Sequence, residues 1–184
     1  MLRAVFCSKD LRNVRAMVPV AQEFRARGVQ VQYLLDRRGS AWESYERDEE
    51  FRTAFADMGV RGIDVIDGTV DAANFCFVSL SASGEPNLET SLCRRASDLR
   101  VPLFGFEDTP GGRNHPGWRI GNTASPLCSL RRLFTVMPSR ADTETGVPVT
   151  VVGPLEFAQF RSLDVQAVGA ETREQLGISE STPI

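Results

Sequence analysis

Residues 75–80 read Phe-Cys-Phe-Val-Ser-Leu, and the fold assignment depends on this stretch. Apolar side chains fill almost every position of the run. Such a run is typical of a strand in a parallel sheet, because helices cover both faces of a parallel sheet. We therefore expect a buried parallel strand here, with neighbours supplied by other parts of the chain.

Six further apolar runs have the length and composition of strands. They are residues 4–7, 29–35, 63–66, 101–106, 133–137 and 149–152. Together with residues 75–80 they predict a sheet of about seven strands.

Helical repeats separate the early runs. A first helix is predicted before Gly28, a second between the capping-box pair Ser40 and Glu43 and the terminating Gly59, and a third after Pro86. Their apolar faces comprise Leu11, Val14, Val18, Ala21 and Phe24, then Phe51, Ala54, Phe55 and Met58, then Leu88, Leu92, Ala96 and Leu99. Strands that alternate with helices imply parallel pairing through right-handed crossovers. The fold class is therefore α/β, a Rossmann-like, doubly wound and mostly parallel sheet with helices on both faces.

Composition restricts the function. The chain has 184 residues, 42% of them hydrophobic, and a net charge of −3, which fits one ordinary globular domain. There is no basic excess to bind nucleic acid, and no apolar run reaches the roughly 18 residues of a membrane span. The four cysteines are scattered and His115 is the only histidine, so no metal site is expected. Without a secretion signal, the chain is expected to be cytoplasmic.

Candidate site residues follow from one rule: open α/β sheets bind ligands beyond the carboxyl ends of their strands. The rule selects four loops, residues 8–13, 79–87, 107–115 and 153–156. The first two loops offer hydroxyl, guanidinium and amide groups for substrate binding through Ser8, Arg12, Asn13, Ser81 and Ser83. The alternative for the serine run is ordinary turn and cap chemistry.

The third loop carries the richest chemistry. It contains two carboxylates, a guanidinium, an amide and the single imidazole, and its glycines let backbone approach a ligand closely. The candidates are Glu107, Asp108 and His115 as catalytic residues, and Thr109, Gly111, Gly112, Arg113 and Asn114 as substrate-binding residues. A carboxylate or imidazole beside a hydroxyl group acts as a general base. The alternative is a solvated loop whose acidic residues pair with Arg113.

Four stretches resemble the N-terminal half of a GT-B-fold glycosyltransferase, in the group that includes UDP-GlcNAc-dependent transferases and the UDP-GlcNAc 2-epimerases. Residues 26–31, Ala-Arg-Gly-Val-Gln-Val, are similar to the RGHxV pattern, and residues 100–108 resemble a GIPV strand that ends in an acidic residue. Residues 151–154, Val-Val-Gly-Pro, resemble VxGNP without its Asn. Residues 171–178 resemble the RxxLGI linker toward a second domain, whereas residues 8–13 differ from the Gly-Gly-His loop of that group.

The resemblance implies a role and a domain organisation. Residues 1–160 would form a Rossmann-like acceptor-binding domain, and residues 161–184 would form a linker helix that leads toward a C-terminal or separate donor-binding domain. The reaction would be sugar transfer from a nucleotide-sugar to a hydroxyl acceptor, with Glu107 as the first choice for the base. No cofactor or metal is implied, and the chain alone would be inactive. A second copy of the chain would pair with it through the surface meant for the other domain.

Two alternatives remain open at this point. The chain is also similar to one half of a UDP-sugar epimerase. A non-catalytic Rossmann-like binding module would have the same fold, because fold does not determine function.

Overall fold

The computed structural model describes residues 1–80, 87–107, 130–135 and 147–152. Its strands are β1 (Arg3–Ser8), β2 (Gln30–Asp36), β3 (Gly59–Ile63), β4 (Phe75–Ser79), β5 (Leu103–Glu107), β6 (Leu130–Thr135) and β7 (Val149–Val151). Its helices are α1 (Leu11–Ala26), α2 (Ser40–Arg47), α3 (Glu49–Thr53) and α4 (Leu88–Asp98), with a 3₁₀ turn at Val70–Ala72.

These strands form one sheet in the order β3-β2-β1-β4-β5-β6-β7. Every pair in it is parallel. The chain first winds outward from β1 through β2 to β3, then returns to pair β4 with the other side of β1. The strand order therefore reverses between β1 and β4, and the predicted doubly wound α/β fold is confirmed.

Two apolar clusters cover the two faces of the sheet, because successive side chains of a strand point to opposite faces. On β1, Ala4 and Phe6 belong to the cluster under α1, whereas Val5 and Cys7 belong to the cluster under α4. Phe6 is fully buried and stacks on Phe77 with ring centroids 4.9 Å apart.

The cluster under α4 contains three buried thiols, Cys7, Cys76 and Cys93. Burial raises the pKa of the Cys76 thiol to about 12. Burial, and then the nearby charge of Glu89, raise the pKa values of Cys7 and Cys93 well above their usual range. These thiols are packing residues that stay protonated at neutral pH.

The second predicted helix is wrong in extent. The chain instead forms α2 and then α3, and Asp48 caps α3 by accepting a hydrogen bond from Phe51 N at 3.0 Å. The predicted capping box is wrong too, because Gly39 is the N-cap of α2 and Ser40 Oγ accepts from Leu11 N at 3.1 Å. The Ser40 hydroxyl therefore bonds to the first residue of α1 instead of capping its own helix.

The third strand also differs from its prediction. Gly59 begins β3 instead of ending a helix, and β3 stops at Ile63. The apolar run 63–66 misled the prediction, since Val65 is 76% exposed and lies beyond the strand. Within the described parts of the chain, no helix is long and apolar enough to cross a membrane.

Candidate active site at the carboxyl edge of the sheet

Buried polar residues end five of the strands. Carboxyl ends of parallel strands meet at one edge, so these last residues share that edge. They are Ser8 on β1, Asp36 on β2, Ser79 on β4, Glu107 on β5 and Thr135 on β6. Each is at most 1% exposed. Buried polar groups in such a row require partners, and they concentrate hydrogen-bonding capacity where this fold binds ligands.

Glu107 ends β5, which lies between β4 and β6 in the sheet. It pairs in register with Thr135 of β6, and the preceding Phe106 pairs with Ser79 of β4. Leu80 N donates to Phe106 O at 2.8 Å, which extends the β4–β5 pairing beyond the end of β4. The Glu107 carboxylate thus lies between two strands that each end in a hydroxyl side chain. A carboxylate held in this way can accept a proton from an alcohol.

A second buried carboxylate lies at the point where the strand order reverses. Glu89, in the first turn of α4, is fully buried. Its Oε1 accepts a hydrogen bond from Lys9 N at 3.0 Å and another from Ser79 Oγ. Glu89 therefore joins the end of β1 to the end of β4.

The backbone of Lys9 also makes a hydrogen bond to α2. Its carbonyl oxygen accepts from Ala41 N at 3.3 Å, in the first turn of α2. A Cβ added to Gly39 would lie 2.3 Å from that same oxygen, so only glycine permits this approach. The N-terminal turns of α1, α2 and α4 consequently converge on the segment after β1.

Ser8 is part of the core. Its Oγ lies 3.2 Å from the Tyr33 hydroxyl and donates to Met17 Sδ at 3.6 Å. Both Ser8 and Tyr33 are fully buried, and burial raises the pKa of Tyr33 well above its usual range despite the Ser8 hydrogen bond, which lowers it. A ligand would have to displace these neighbours to reach the Ser8 hydroxyl.

Asp36 closes the turn after β2. Its Oδ1 accepts from Arg38 N at 2.9 Å and from Arg38 Nε at 3.2 Å. This pairing raises the pKa of the exposed Arg38 guanidinium. Asp36 thus fixes the loop that leads into α2 and presents a cation at its rim.

The other predicted site residues divide by location. In α1, Arg12 is exposed in the first turn and Asn13 is buried. Glu107 lies at the carboxyl edge with them, although the contacts of its side chain with a substrate stay a prediction. The remaining candidates fall outside the described residues: Ser81, Ser83, Asp108, Thr109, Gly111, Gly112, Arg113, Asn114 and His115.

Two residues at this edge were missed by the sequence analysis, Glu89 and Asp36. A signal for Glu89 existed, because the buried residues Cys93 and Ala96 follow it at helical spacing and place it on the inward face of α4. Asp36 gave no comparable signal beyond its place at the end of an apolar run.

An apolar cavity of about 240 Å³ lies between α1 and the sheet. Its described lining consists of Phe6, Met17, Val20, Phe24, Phe77, Phe106, Phe134 and Val152. None of these described side chains carries a polar group that could orient a hydroxyl or a sugar.

Metal binding has no support in the part of the chain that the structure describes. No group of three or more His, Cys, Asp or Glu side chains there could hold a metal ion.

Comparison with known proteins finds structures of similar fold but no relative by sequence. No family model and no curated protein matches the chain. Solved structures do match. MurG from Acinetobacter baumannii has a TM-score of 0.53 and 10% identity over 83% of this chain and 45% of its own.

Two further structures agree. UGT2 from Phytolacca americana, complexed with UDP-2fluoro-glucose and pterostilbene, has a TM-score of 0.52 and 12% identity over 94% of this chain and 57% of its own. UDP-GlcNAc 2-epimerase from Neisseria meningitidis, bound to UDP-GlcNAc, has a TM-score of 0.53 and 10% identity over 98% of this chain and 54% of its own.

The chain therefore spans about half the length of these structures. At such low identity the likeness concerns the fold alone. The predicted resemblance is confirmed at that level: the seven described strands and their helices form the α/β, Rossmann-like fold found in GT-B-type enzymes.

Proposed function

We propose that this chain is the acceptor-binding domain of a nucleotide-sugar-dependent glycosyltransferase. Donor binding would then require residues outside this domain. The observation that carries the proposal is the buried Glu107 carboxylate, which ends β5 in a row of polar strand ends on a GT-B-type fold. The chain's coverage of about half of MurG and UGT2 agrees with one domain of a two-domain enzyme.

In the proposed reaction, Glu107 accepts the proton of the acceptor hydroxyl. The hydroxyl oxygen attacks the anomeric carbon of the donor sugar, and the bond from that carbon to the nucleoside diphosphate breaks. The diphosphate leaves with the bonding electron pair, and Glu107 holds the proton. Proton removal by a positioned base contributes about 10²–10⁴-fold to such a rate.

The arrangement of the strand ends favours hydroxyl substrates. Thr135 pairs in register with Glu107, and β4 on the other side of β5 ends in Ser79, so both strands that flank β5 end in hydroxyl residues. Predicted contacts from Arg113 and Asn114 to the acceptor or to the donor phosphate form part of the same proposal. By the same proposal the chain alone is inactive.

The test uses the chain joined to its donor-binding domain, supplied with UDP- and dTDP-sugars and a panel of hydroxyl acceptors. Transfer is expected, and Glu107→Gln should lower kcat by about 10²-fold or more with KM nearly unchanged. Glu50→Gln is the matched control, because Glu50 is exposed on α3. Near-normal turnover by Glu107→Gln would remove Glu107 from the role of base.

The same assay separates the second candidate function. The fold of UDP-GlcNAc 2-epimerase matches nearly the whole chain, so the reaction is also run without acceptor. Inversion of the donor sugar at C2 under those conditions would show that the protein is an epimerase and not a transferase.

A further inference from the structure

The crevice between β1 and β4 is the position where an open α/β sheet of this order offers a ligand site. Backbone N–H groups after the first strand and at helix N-termini are donors that commonly bind phosphate there. In this chain the corresponding donor is Lys9 N, in the segment where the N-terminal turns of α1, α2 and α4 converge.

The Lys9 N–H is already bonded to a carboxylate of the chain itself, that of Glu89. Lys9 N donates to Glu89 Oε1 at 3.0 Å, and Ser79 Oγ donates to the same oxygen. Glu89 is fully buried, and its position in the first turn of α4 places a negative charge where the helix dipole favours one. The carboxylate thus occupies the backbone donor that a phosphate oxygen would need.

We propose that Glu89 is a specificity-determining residue that closes the β1–β4 crevice to phosphate-bearing ligands. A phosphate could reach Lys9 N only by displacing the carboxylate, since Glu89 occupies the donor. A phosphate beside the carboxylate would meet a like charge in a poorly solvated site, where repulsion is weakly screened.

The exclusion has a consequence for what binds at this edge. It leaves uncharged groups, such as hydroxyls, as the ligand class for the β1–β4 crevice, and the donor's diphosphate would bind outside this crevice. The identity of that hydroxyl ligand as a sugar acceptor rests on the proposed function. The closure of the crevice to phosphate is a property of this folded chain alone.

The experiment follows the Lys9 backbone amide by ¹H–¹⁵N correlation NMR while inorganic pyrophosphate is added at constant ionic strength. In the wild-type chain this amide should not shift. Glu89→Ala removes the carboxylate and leaves space, so its Lys9 amide should shift saturably, at pyrophosphate concentrations at least about tenfold below any that move the wild-type amide.

Two further variants serve as controls. Glu89→Gln keeps the size and the acceptor oxygen of the side chain but removes its charge, so its Lys9 amide should shift less with pyrophosphate than that of Glu89→Ala. Glu50→Ala removes an exposed carboxylate from α3 and should change nothing. A shift common to all variants would report a general salt effect on Lys9 and would overturn the proposal.

The wild-type chain keeps the proposal testable if Glu89→Ala does not fold. Saturable movement of the wild-type Lys9 amide with pyrophosphate would mean that Glu89 does not exclude phosphate. A folded Glu89→Ala chain whose Lys9 amide ignores pyrophosphate would contradict the proposal equally. If the two-domain protein shows no sugar transfer while these NMR results hold, the glycosyltransferase assignment fails and the role of Glu89 stands.

Discussion

The pair Ser8 and Tyr33 gives a quantitative test of whether Ser8 is a core residue or a ligand contact. Both side chains are fully buried, and their hydroxyl oxygens lie 3.2 Å apart. Since Ser8 Oγ also donates to Met17 Sδ, the Tyr33 hydroxyl is the group that donates to Ser8. Removal of either hydroxyl therefore breaks a short chain of hydrogen bonds.

The cost of each change follows from what it leaves behind. Ser8→Ala leaves the Tyr33 hydroxyl buried without its only hydrogen bond among the described residues. That loss should lower the free energy of unfolding by about 1–3 kcal/mol. Tyr33→Phe leaves Ser8 bonded to Met17 and should cost only about 1 kcal/mol.

The double variant separates this explanation from simple loss of volume. Once Ser8 is alanine, the Tyr33 hydroxyl has nothing to bond with, so its removal should cost little or even help. The double variant should be more stable than the sum of the single changes predicts, by about 1 kcal/mol.

The assay is urea unfolding followed by circular dichroism, under reducing conditions. In thermal unfolding of the same variants, each kcal/mol should appear as a shift of about 2–4 °C in Tm for a domain of this size. Additivity of the two changes within about 0.4 kcal/mol would refute the coupling. If Ser8→Ala kept full stability and raised KM in the two-domain enzyme, Ser8 would be a ligand contact after all.

Three further predictions concern the core. The free energy of unfolding should fall as pH rises above about 8.5, where unfolded thiols ionise, because the three buried cysteines keep raised pKa values in the fold. Cys76, whose pKa is raised to about 12, should contribute up to about 1.4 kcal/mol per pH unit to this fall. Cys76→Ala should therefore flatten the dependence of the free energy of unfolding, measured with urea, on pH over that range. An unchanged pH dependence in Cys76→Ala would contradict this prediction. In a Cys128→Ala chain, a thiol reagent should react with the three buried cysteines only on unfolding, and fast reaction of the native chain would exclude their burial. Gly62→Ala should lower the free energy of unfolding by about 1–3 kcal/mol and shift Trp42 fluorescence, because the new Cβ would lie 2.6 Å from the Trp42 ring. Gly68→Ala is the control, since its new Cβ would meet only one atom, at 3.9 Å. Equal stability of the two variants would refute the clash.

The sheet was predictable because its signal is local. The run 75–80 is buried on both faces in the structure, and the apolar repeat ending before Gly28 forms α1. Gly28 adopts a φ of 80°, the left-handed conformation expected after a helix. Such features depend on residues that are near neighbours in the chain.

The site was less predictable because it depends on distant partners. The contact between Ser40 and Leu11 and the one between Glu89 and Lys9 join segments that no sequence pattern relates. Glu107 could be selected as an acidic residue that ends a strand, whereas nothing local could show that Ser8 is directed at Tyr33. Side-chain roles at this edge are set by strand order, which a local pattern does not contain.

The pairing of β1 with β4 has a consequence for synthesis. Arg3 and Asn74, which flank this pair, are 71 positions apart, and Arg3 N donates to Asn74 Oδ1 at 2.8 Å. During translation the chain emerges from its N-terminus, so the hydrogen-bonding edge of β1 remains without its β4 partner until that later segment has left the ribosome. Closing so long a loop is entropically costly, and formation of this central pair should limit the folding rate. The nascent chain is thus most exposed to misassociation before β4 appears, which is the interval in which a chaperone would act.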